Sequence, residues 1–507
     1  MKNLLFIFLI ISHISFAQSM SDALMISQTK IGGSARFQAM GGAFTALGGE
    51  LSATQINPAA GSVFLSGQLG LSWGSSNIDN NSTFYNGGNI SSESYNNINQ
   101  IGGVFIIENN DQASSVNKYA FSVNYNRTNN FYDNLNFAGN NNTELEMYLG
   151  NNLMYQGYSS LAASFALASN EITPDNLGVV EGLAFDTYIS DINAPESRYY
   201  DSRYPEYSDN FPVYVISGIA NNNLQEYDIS RRGHSGQYTF AGSMEIDNKF
   251  HLGLSYNRTN INSTTEITLR ESGFDQNSDL NEFTYQSYVN TLGYGNGFSI
   301  GGIYRASENL RMGAAFHSPT WYRLNDEYSY SLESSFNTPD DDGNYNYFAE
   351  SNYYYYDYEL TSPYKIDAGI AYIIGKQGLI SADYEYIGYS SMKLGPNYDF
   401  EYDNRNIKNT LNSTHNIRLG AEWKISFVSL RGGYTYSQSP YKNTDWQSNT
   451  QSFSVGGGLN FKTWNLDLAY QKYTNNYDYY IYETDLVDAA HVNRTEGNFV
   501  ATLRFAM

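Results

Sequence analysis

His415-Asn416-Ile417-Arg418-Leu419-Gly420-Ala421-Glu422-Trp423-Lys424-Ile425 decides the fold class. Ile417, Leu419, Ala421, Trp423 and Ile425 are apolar, and polar residues or glycine stand between them. A helix, at about 3.6 residues per turn, scatters the two sets around its circumference. A strand sends one set to each face. The same period of two recurs in Val428/Leu430/Gly432/Tyr434/Tyr436, in Phe453/Val455/Gly457/Leu459/Phe461 and in Trp464/Leu466/Leu468/Tyr470. It closes the chain as Phe499/Ala501/Leu503/Phe505. Earlier files are Tyr119/Phe121/Val123/Tyr125, Phe250/Leu252/Leu254/Tyr256, Leu310/Met312/Ala314/Phe316 and Ile366/Ala368/Ile370/Tyr372/Ile374. The opposite face is expected to carry Arg127, Glu245, Arg258, Arg311, Lys365, Asp367, Asp383, Glu385, Arg431, Asp467 and Arg504.

Alternation by itself fits a soluble sandwich equally well. Loop lengths separate the two. About fourteen strands are expected, near 66–75, 98–107, 118–127, 236–246, 249–258, 296–306, 310–319, 363–375, 378–388, 414–425, 427–437, 451–462, 464–474 and 495–507. Segments 247–248, 307–309, 376–377, 426 and 463 are tight turns, 108–117 is of moderate length, and the connections at the other end are long. Short turns at one end and long loops at the other mark an antiparallel transmembrane β-barrel, whose closure pairs every backbone group. Tyr125, Tyr256, Tyr434, Tyr436 and Tyr470 lie toward the long-loop ends, where they are read either as an aromatic girdle or as ordinary tyrosine-rich strand composition. The loop 128–235 is far longer than its neighbours. It has a helical look at 159–169, and Leu177–Ile192 adds a further turn. A loop of that size carries structure of its own. It is read as capping the mouth, offering an apolar landing site, or docking an outer-membrane protein partner.

Composition supports the assignment. The 507 residues contain no cysteine, 47 tyrosines and 44 glycines. The absence of cysteine removes disulfides, thiolate metal sites and cysteine nucleophiles. A net charge of −23 excludes nucleic acid as a partner, since no positive field releases phosphate counterions. A mean hydropathy of −0.47 excludes a bundle of membrane helices. At the N-terminus, Met1-Lys2-Asn3, the apolar run Leu4–Ile11 and the small residues of Ser15-Phe16-Ala17 read as an export signal over 1–17.

Residues 18–65 do not alternate and are rich in small residues. A barrel of about fourteen strands leaves a lumen too wide for wall side chains to fill, and this segment is a candidate plug. Its key stretches are Ile31-Gly32-Gly33-Ser34-Ala35-Arg36, Met40-Gly41-Gly42-Ala43-Phe44-Thr45-Ala46-Leu47-Gly48-Gly49 and Ile56-Asn57-Pro58-Ala59-Ala60-Gly61. Those motifs resemble the FadL family of outer-membrane channels for long-chain fatty acids and other hydrophobic compounds. Asn309-Leu310-Arg311-Met312-Gly313 through Ser318-Pro319, and Arg418-Leu419-Gly420-Ala421 through Ser437-Gln438-Ser439-Pro440, are similar too. The composition looks like Bacteroidetes-type versions. The resemblance implies passive transport in the outer membrane. Ligand lands on the outer loops, enters a pocket between loops and plug, moves the plug and leaves sideways through a break in the wall. Gly32, Gly33, Gly41, Gly42, Asn57, Pro58 and Ala59 are the plug and gate candidates, with Asn57 and Pro58 as joints. Phe37, Met40, Phe44 and Leu47 are the candidate ligand contacts, and packing of the plug against the wall is their competing role. The partners implied are hydrophobic small molecules and outer-membrane lipid, with no cofactor.

Enzymatic readings find little support. The histidines at 13, 234, 251, 317, 415 and 491 show no metal-ligand spacing. Gly297-Phe298-Ser299-Ile300-Gly301 has the form of a nucleophile elbow, but it opens an alternating strand rather than a strand–turn–helix. Asp340-Asp341-Asp342-Gly343-Asn344 is acidic yet lacks the ligand spacing of a calcium loop, and a solvated turn is expected. Tyr353–Tyr356 is expected in a protruding β-arm or girdle. The alternative to a channel is a non-transporting barrel, a structural or adaptor subunit of an outer-membrane complex.

Overall fold

The computed structural model describes residues 20–111, 113–141, 144–149, 152–158, 179–192, 214–216, 223–274, 278–444, 446–481 and 488–507. The signal segment 1–17 and the stretch 159–169 lie outside the described residues. The wall begins with β1 (Gln68–Phe84), β2 (Gly87–Glu108), β3 (Val116–Asn130) and β4 (Asp133–Asn140). It continues through β5 (Leu224–Ile246), β6 (Phe250–Ser272), β7 (Leu280–Arg305), β8 (Leu310–His317) and β9 (Trp321–Phe336). Next come β10 (Tyr354–Thr361), β11 (Lys365–Ile374), β12 (Gly378–Gly388) and β13 (Ser413–Ile425). The ring ends with β14 (Val428–Ser437), β15 (Thr450–Asn460), β16 (Trp464–Tyr479) and β17 (Ala490–Ala506). The pairs β3/β4, β8/β9 and β10/β11 are interrupted single strands, so the wall is a closed antiparallel barrel of fourteen. Pairing of β1 with β17, from Gln68↔Ala506 to Thr83↔His491, closes it.

The outward files form an apolar belt. Leu252, Leu254, Ile300, Ile370, Leu419, Val455 and Leu468 all stand exposed. Aromatic residues rim the belt on both sides. Phe250, Tyr304, Tyr372, Trp423 and Trp464 lie toward the tight turns, and Tyr238, Tyr256, Phe298, Trp321 and Tyr470 toward the long loops. A continuous apolar band around a closed barrel is unstable against water and suits lipid. The inward files carry Glu245, Asp367, Asp383, Glu385, Arg418, Arg431, Asp467 and Arg504, all buried.

Two sequence-based expectations need correction. The strands run well past the ends expected of them: β6 reaches Ser272, β2 begins at Gly87 and β5 at Leu224. Beyond the belt the outward positions of β6 are Asn260, Asn262, Thr264 and Glu266, so apolar alternation ends although the ladder continues. The loop expected over 128–235 therefore begins and ends inside strands, and its structured part includes a helix at Val179–Asp186. Arg127 and Arg258 do not join the inward charges. They continue the outward files of Tyr125 and Tyr256.

Prolines interrupt two neighbouring strands at one level, at Pro319 between β8 and β9 and at Pro363 between β10 and β11. Proline cannot donate to a ladder. Serines repair both places. Phe298 N–H donates to Ser318 Oγ (2.9 Å) and Thr320 N–H to Ser362 Oγ (2.9 Å). The wall stays sealed there.

Ile300 is 59% exposed in the middle of the belt. Ile300→Arg is expected to destabilise the barrel by about 2–4 kcal/mol, read from denaturant refolding into lipid vesicles. An unchanged midpoint would place this face outside the bilayer.

Candidate functional site: the lumen and a discontinuity in its wall

The N-terminal segment packs against the inward face of the wall. Helix α1 (Met20–Ser27) precedes helix α2 (Ala35–Ala39), and 3₁₀ turns follow at Ser52–Gln55 and Pro58–Val63. Ser34 caps α2 by accepting from Phe37 N–H, as N-cap serines do. Asn57 caps the last turn by accepting from Ala59 N–H, with Pro58 at its first position. The Asn57 amide also donates to Thr45 O (2.8 Å) within the segment and to Gly302 O (3.1 Å) in the wall. Pro58 and Ala59 press on Gly253, where a side chain would collide with their backbone. Gly41 (φ +60°) and Gly42 (φ +71°) turn the chain in the left-handed region, which glycine enters without strain. Phe37, Met40, Phe44 and Leu47 are buried together with Ala46, Ala53, Ala60 and Ala371, with the Phe37 and Phe44 rings 5.3 Å apart. They form the segment's own core, which a ligand reaches only if the segment moves.

A ring of six charges locks this segment to the wall. Arg36 contacts Glu422 (2.9 Å) and Glu422 contacts Arg431 (2.5 Å). Arg431 contacts Asp467 (2.6 Å) and Asp467 contacts Arg504 (2.6 Å). Arg504 reaches Glu50 (3.7 Å), and Glu50 returns to Arg36 (3.8 Å). Three carboxylates and three guanidiniums alternate, so the ring is neutral. Arg36 and Glu50 come from the segment, and the other four from β13, β14, β16 and β17. The sequence reading left the pairing of Arg36 and Glu50 unnoticed. Its only signal is that both lie among the glycine motifs while unpaired charges recur on the inward files. A second anchor joins Thr45, through its N–H and its hydroxyl, to Asp383 (2.8 Å each).

Above the ring lies an apolar chamber. It is a packed cluster rather than an open space: Tyr322, Leu324, Tyr358, Leu360, Met392, Leu394, Phe400 and Ile407 close around Leu24 and Ile26 of α1, which fill it. Phe400 and Ile407 come from the start and body of helix α4 (Glu401–Thr410), whose N-cap is Phe400. Higher still, a second cluster closes the mouth. Val180, Leu183 and Ala184 of helix α3 (Val179–Asp186) pack against residues such as Phe283, Tyr285, Tyr330, Leu332 and Phe336.

The wall is discontinuous beside the chamber. The β2–β3 ladder runs only from Glu108↔Lys118 to Gln100↔Asn126. Beyond that, Gly87–Ile98 of β2 pairs with β1 alone, and β4 pairs with β5 alone. β4 turns inward and passes behind the top of the β1–β2 hairpin, where Asn80 donates to Asp133 (2.7 Å) and Ser91 to Asn134 O (2.7 Å). Phe131 at the bend belongs to the chamber cluster. Tyr132, the next residue, stacks on Tyr95 of β2 with centroids 5.0 Å apart, and the Arg127 guanidinium lies 6.0 Å from the Tyr95 ring. The N-terminal segment runs directly behind this stack. Lys30 N–H donates to Thr128 O (2.8 Å), and the Asn129 amide donates to Met25 O and Gln28 O (3.1 Å each). A Cβ at Gly32 would collide with the Arg127 carbonyl oxygen, and one at Gly33 with Ser52. Nothing in the sequence reading pointed to this end of the ladder, and it missed Tyr95, Tyr132 and the outward setting of Arg127.

The remaining candidates resolve as follows. Ser299 contacts His317 Nδ1 (2.8 Å), and His317 Nε2 lies 3.1 Å from Asp367. The set nevertheless lies across three laddered strands, Ser299 is 2% exposed, and the Asn257 amide already donates to its oxygen (2.9 Å). Without an approach for substrate or free N–H groups to hold an oxyanion, it serves as wall structure. Asp340 accepts from the backbone and amide of Asn344 and from Tyr347, which hold its carboxyl down to about 2. That is a self-capped turn. Tyr354 and Tyr355 extend β10 beyond the belt, paired with Tyr328 and Glu327. Among the described residues no group of three or more acidic or histidine side chains is placed to hold a metal ion.

No protein-family model and no curated protein matches the sequence. Solved structures do. One is the crystal structure of a Pseudomonas aeruginosa FadL homologue, at 11% identity and a TM-score of 0.54, covering 95% of this chain and 99% of that one. Another is the Pseudomonas putida toluene transporter TodX, at 13% identity and a TM-score of 0.51, covering 95% and 100%. At such identities the likeness establishes a shared fold across nearly the whole chain.

Asp467 bridges two arginines and has a fully buried side chain. Asp467→Asn leaves an uncompensated buried positive charge and is expected to cost about 3–5 kcal/mol, read as a lower unfolding temperature in detergent. A double change of Asp467→Asn with Arg504→Gln is expected to recover part of the loss.

Proposed function

We propose that the chain is an outer-membrane channel for passive uptake of hydrophobic compounds such as long-chain fatty acids, exported by the signal over 1–17. The observation that carries this reading is the unpaired edge between β2 and β4, which opens beside an apolar chamber. A fully sealed barrel would carry the ladder between β2 and β3 past the belt's rim instead of ending it there. Cargo enters the chamber from the mouth, competes with Leu24 and Ile26 for the apolar lining, and displaces α1. The carbonyls of Met25 and Gln28, at the end of α1, are held by Asn129, three residues before Tyr132. Displacing α1 therefore loosens the stack that fills the discontinuity, and cargo leaves sideways into the bilayer. The driving force is transfer of apolar surface, about 25 cal/mol per Å², and no chemistry is required.

In this scheme residues 18–65 are a plug, with Gly32 and Gly33 against the gate, Gly41 and Gly42 at its central turn, and Asn57-Pro58-Ala59 as its joint to the wall. Phe37, Met40, Phe44 and Leu47 meet cargo only after the plug shifts. A second reading, a structural or adaptor subunit, draws support from the α3 helix seated in the mouth.

The plug-movement step has a direct test. A Cβ built at Gly61 lies 3.7 Å from Ala120 Cβ on the wall, with the rotatable Ser243 hydroxyl as its other neighbour, and a disulfide takes about 3.5–4.5 Å. The native chain has no cysteine, so a Gly61→Cys/Ala120→Cys pair forms a single bond from plug to wall. Uptake of radiolabelled oleate by a deletion strain carrying the pair is expected to fall under oxidation and return with a reductant, with the single variants showing no response to either. Undiminished uptake by the oxidised pair would mean that this part of the plug stays still. No uptake by the unmodified protein, with altered abundance of another outer-membrane protein on deletion, would favour the adaptor reading.

A further inference from the structure

We infer that Arg127 is a binding site for the oxyanion head of an amphipathic ligand, a carboxylate at the end of an acyl chain, at the discontinuity between β2 and β3. Four observations carry it. Nε and Nη1 of Arg127 are buried and have no hydrogen-bond partner. No ion pair joins Arg127 to a carboxylate among the described residues; the titratable groups placed against it are Tyr95, Tyr125, Tyr132 and His234. A guanidinium stays charged in a protein, and a buried charge without a partner is costly. In the lumen Arg36, Arg418, Arg431, Arg494 and Arg504 meet carboxylates, and Arg311 donates to the Leu47 carbonyl (2.7 Å).

Position supplies the rest. Arg127 continues the lipid-facing file of Phe121, Val123 and Tyr125, immediately beyond the aromatic rim. It stands where the ladder between β2 and β3 ends, four residues before Phe131 of the chamber. A ligand crossing from chamber to bilayer passes it with an apolar tail in the chamber and its head at the rim. The planar fork of arginine suits two oxygens at once, and the Tyr95 and Tyr132 rings flank the tail. The site thus separates acids from neutral hydrocarbons of the same length. The direction of passage rests on the channel reading; binding at Arg127 does not.

The test uses the full mature protein purified in detergent, with equilibrium binding of radiolabelled oleate and of methyl oleate. Arg127→Gln is expected to weaken oleate binding about tenfold or more and to leave methyl oleate unchanged, with Arg127→Lys between. Without ligand, Arg127→Gln is expected to unfold at the same temperature as the native protein or higher, because an unpartnered buried charge has been removed. Parallel losses for oleate and the ester, or a lower unfolding temperature, would make Arg127 a structural residue and overturn the site. Equal oleate binding, with a co-purifying phospholipid or lipopolysaccharide lost from Arg127→Gln by mass spectrometry, assigns the same oxyanion site to bilayer lipid. Equal oleate binding with no change in lipid overturns it. In cells, absence of oleate uptake by the native protein sinks the channel reading and leaves the binding result standing.

Discussion

A bilayer offers no hydrogen bonds, and that constraint organises the molecule. Each backbone N–H and C=O within the apolar belt must find its partner in the chain. The sheet satisfies this by closing, with Gln68 of β1 against Ala506 of β17. Where proline removes a donor, the hydroxyls of Ser318 and Ser362 take up the neighbouring N–H groups. A long stretch of unpaired edge, Gly87–Ile98 of β2, lies beyond the belt's rim, where β4 has turned inward and stacked aromatic rings fill the space.

Closure creates a second problem, because a barrel this wide has an interior its wall cannot fill. The N-terminal segment packs against the inward face of that wall, and glycine at its contact points brings backbone against backbone. Charges on the inward files would be costly alone. In the Arg36–Glu422–Arg431–Asp467–Arg504–Glu50 ring each is balanced by its neighbours. Such a ring contributes less through net energy than through specificity: four wall strands and the segment must take one register for it to close. The segment is therefore positioned by polar contacts below and by apolar ones above, where α1 sits in the chamber. The two ends differ in what holds them, apolar packing at Leu24 and Ile26 and ion pairs at Arg36 and Glu50.

The discontinuity between β2 and β3 joins these parts. Phe131 faces the chamber, Tyr132 fills the gap, Asn129 holds the end of α1, and Arg127 stands at the lipid side, all within the six residues 127–132. Short spacing makes them one mechanical unit. A change in the chamber need not travel far to reach the rim.

Strand period and loop asymmetry were enough to define the class of fold, because lipid on one side and a polar lumen on the other impose opposite chemistry on alternate residues. The Ile417–Ile425 file shows it plainly. The same logic explains where the reading fell short. Above the belt both faces meet water or protein, alternation fades, and β6 continues from Arg258 to Ser272 with nothing in the pattern to announce it. Glycines of the small-residue motifs of 18–65 stand where that segment meets wall backbone closely, Gly32 against Arg127 and Gly41 against Leu419. Which charges pair, where the wall opens and which way Arg127 points were decided only by tertiary structure. Arg36 lies 386 residues from Glu422 in sequence, and Tyr95 meets Tyr132 only because β4 leaves the wall. Such contacts depend on register and curvature summed around the ring, and no local run of residues contains them.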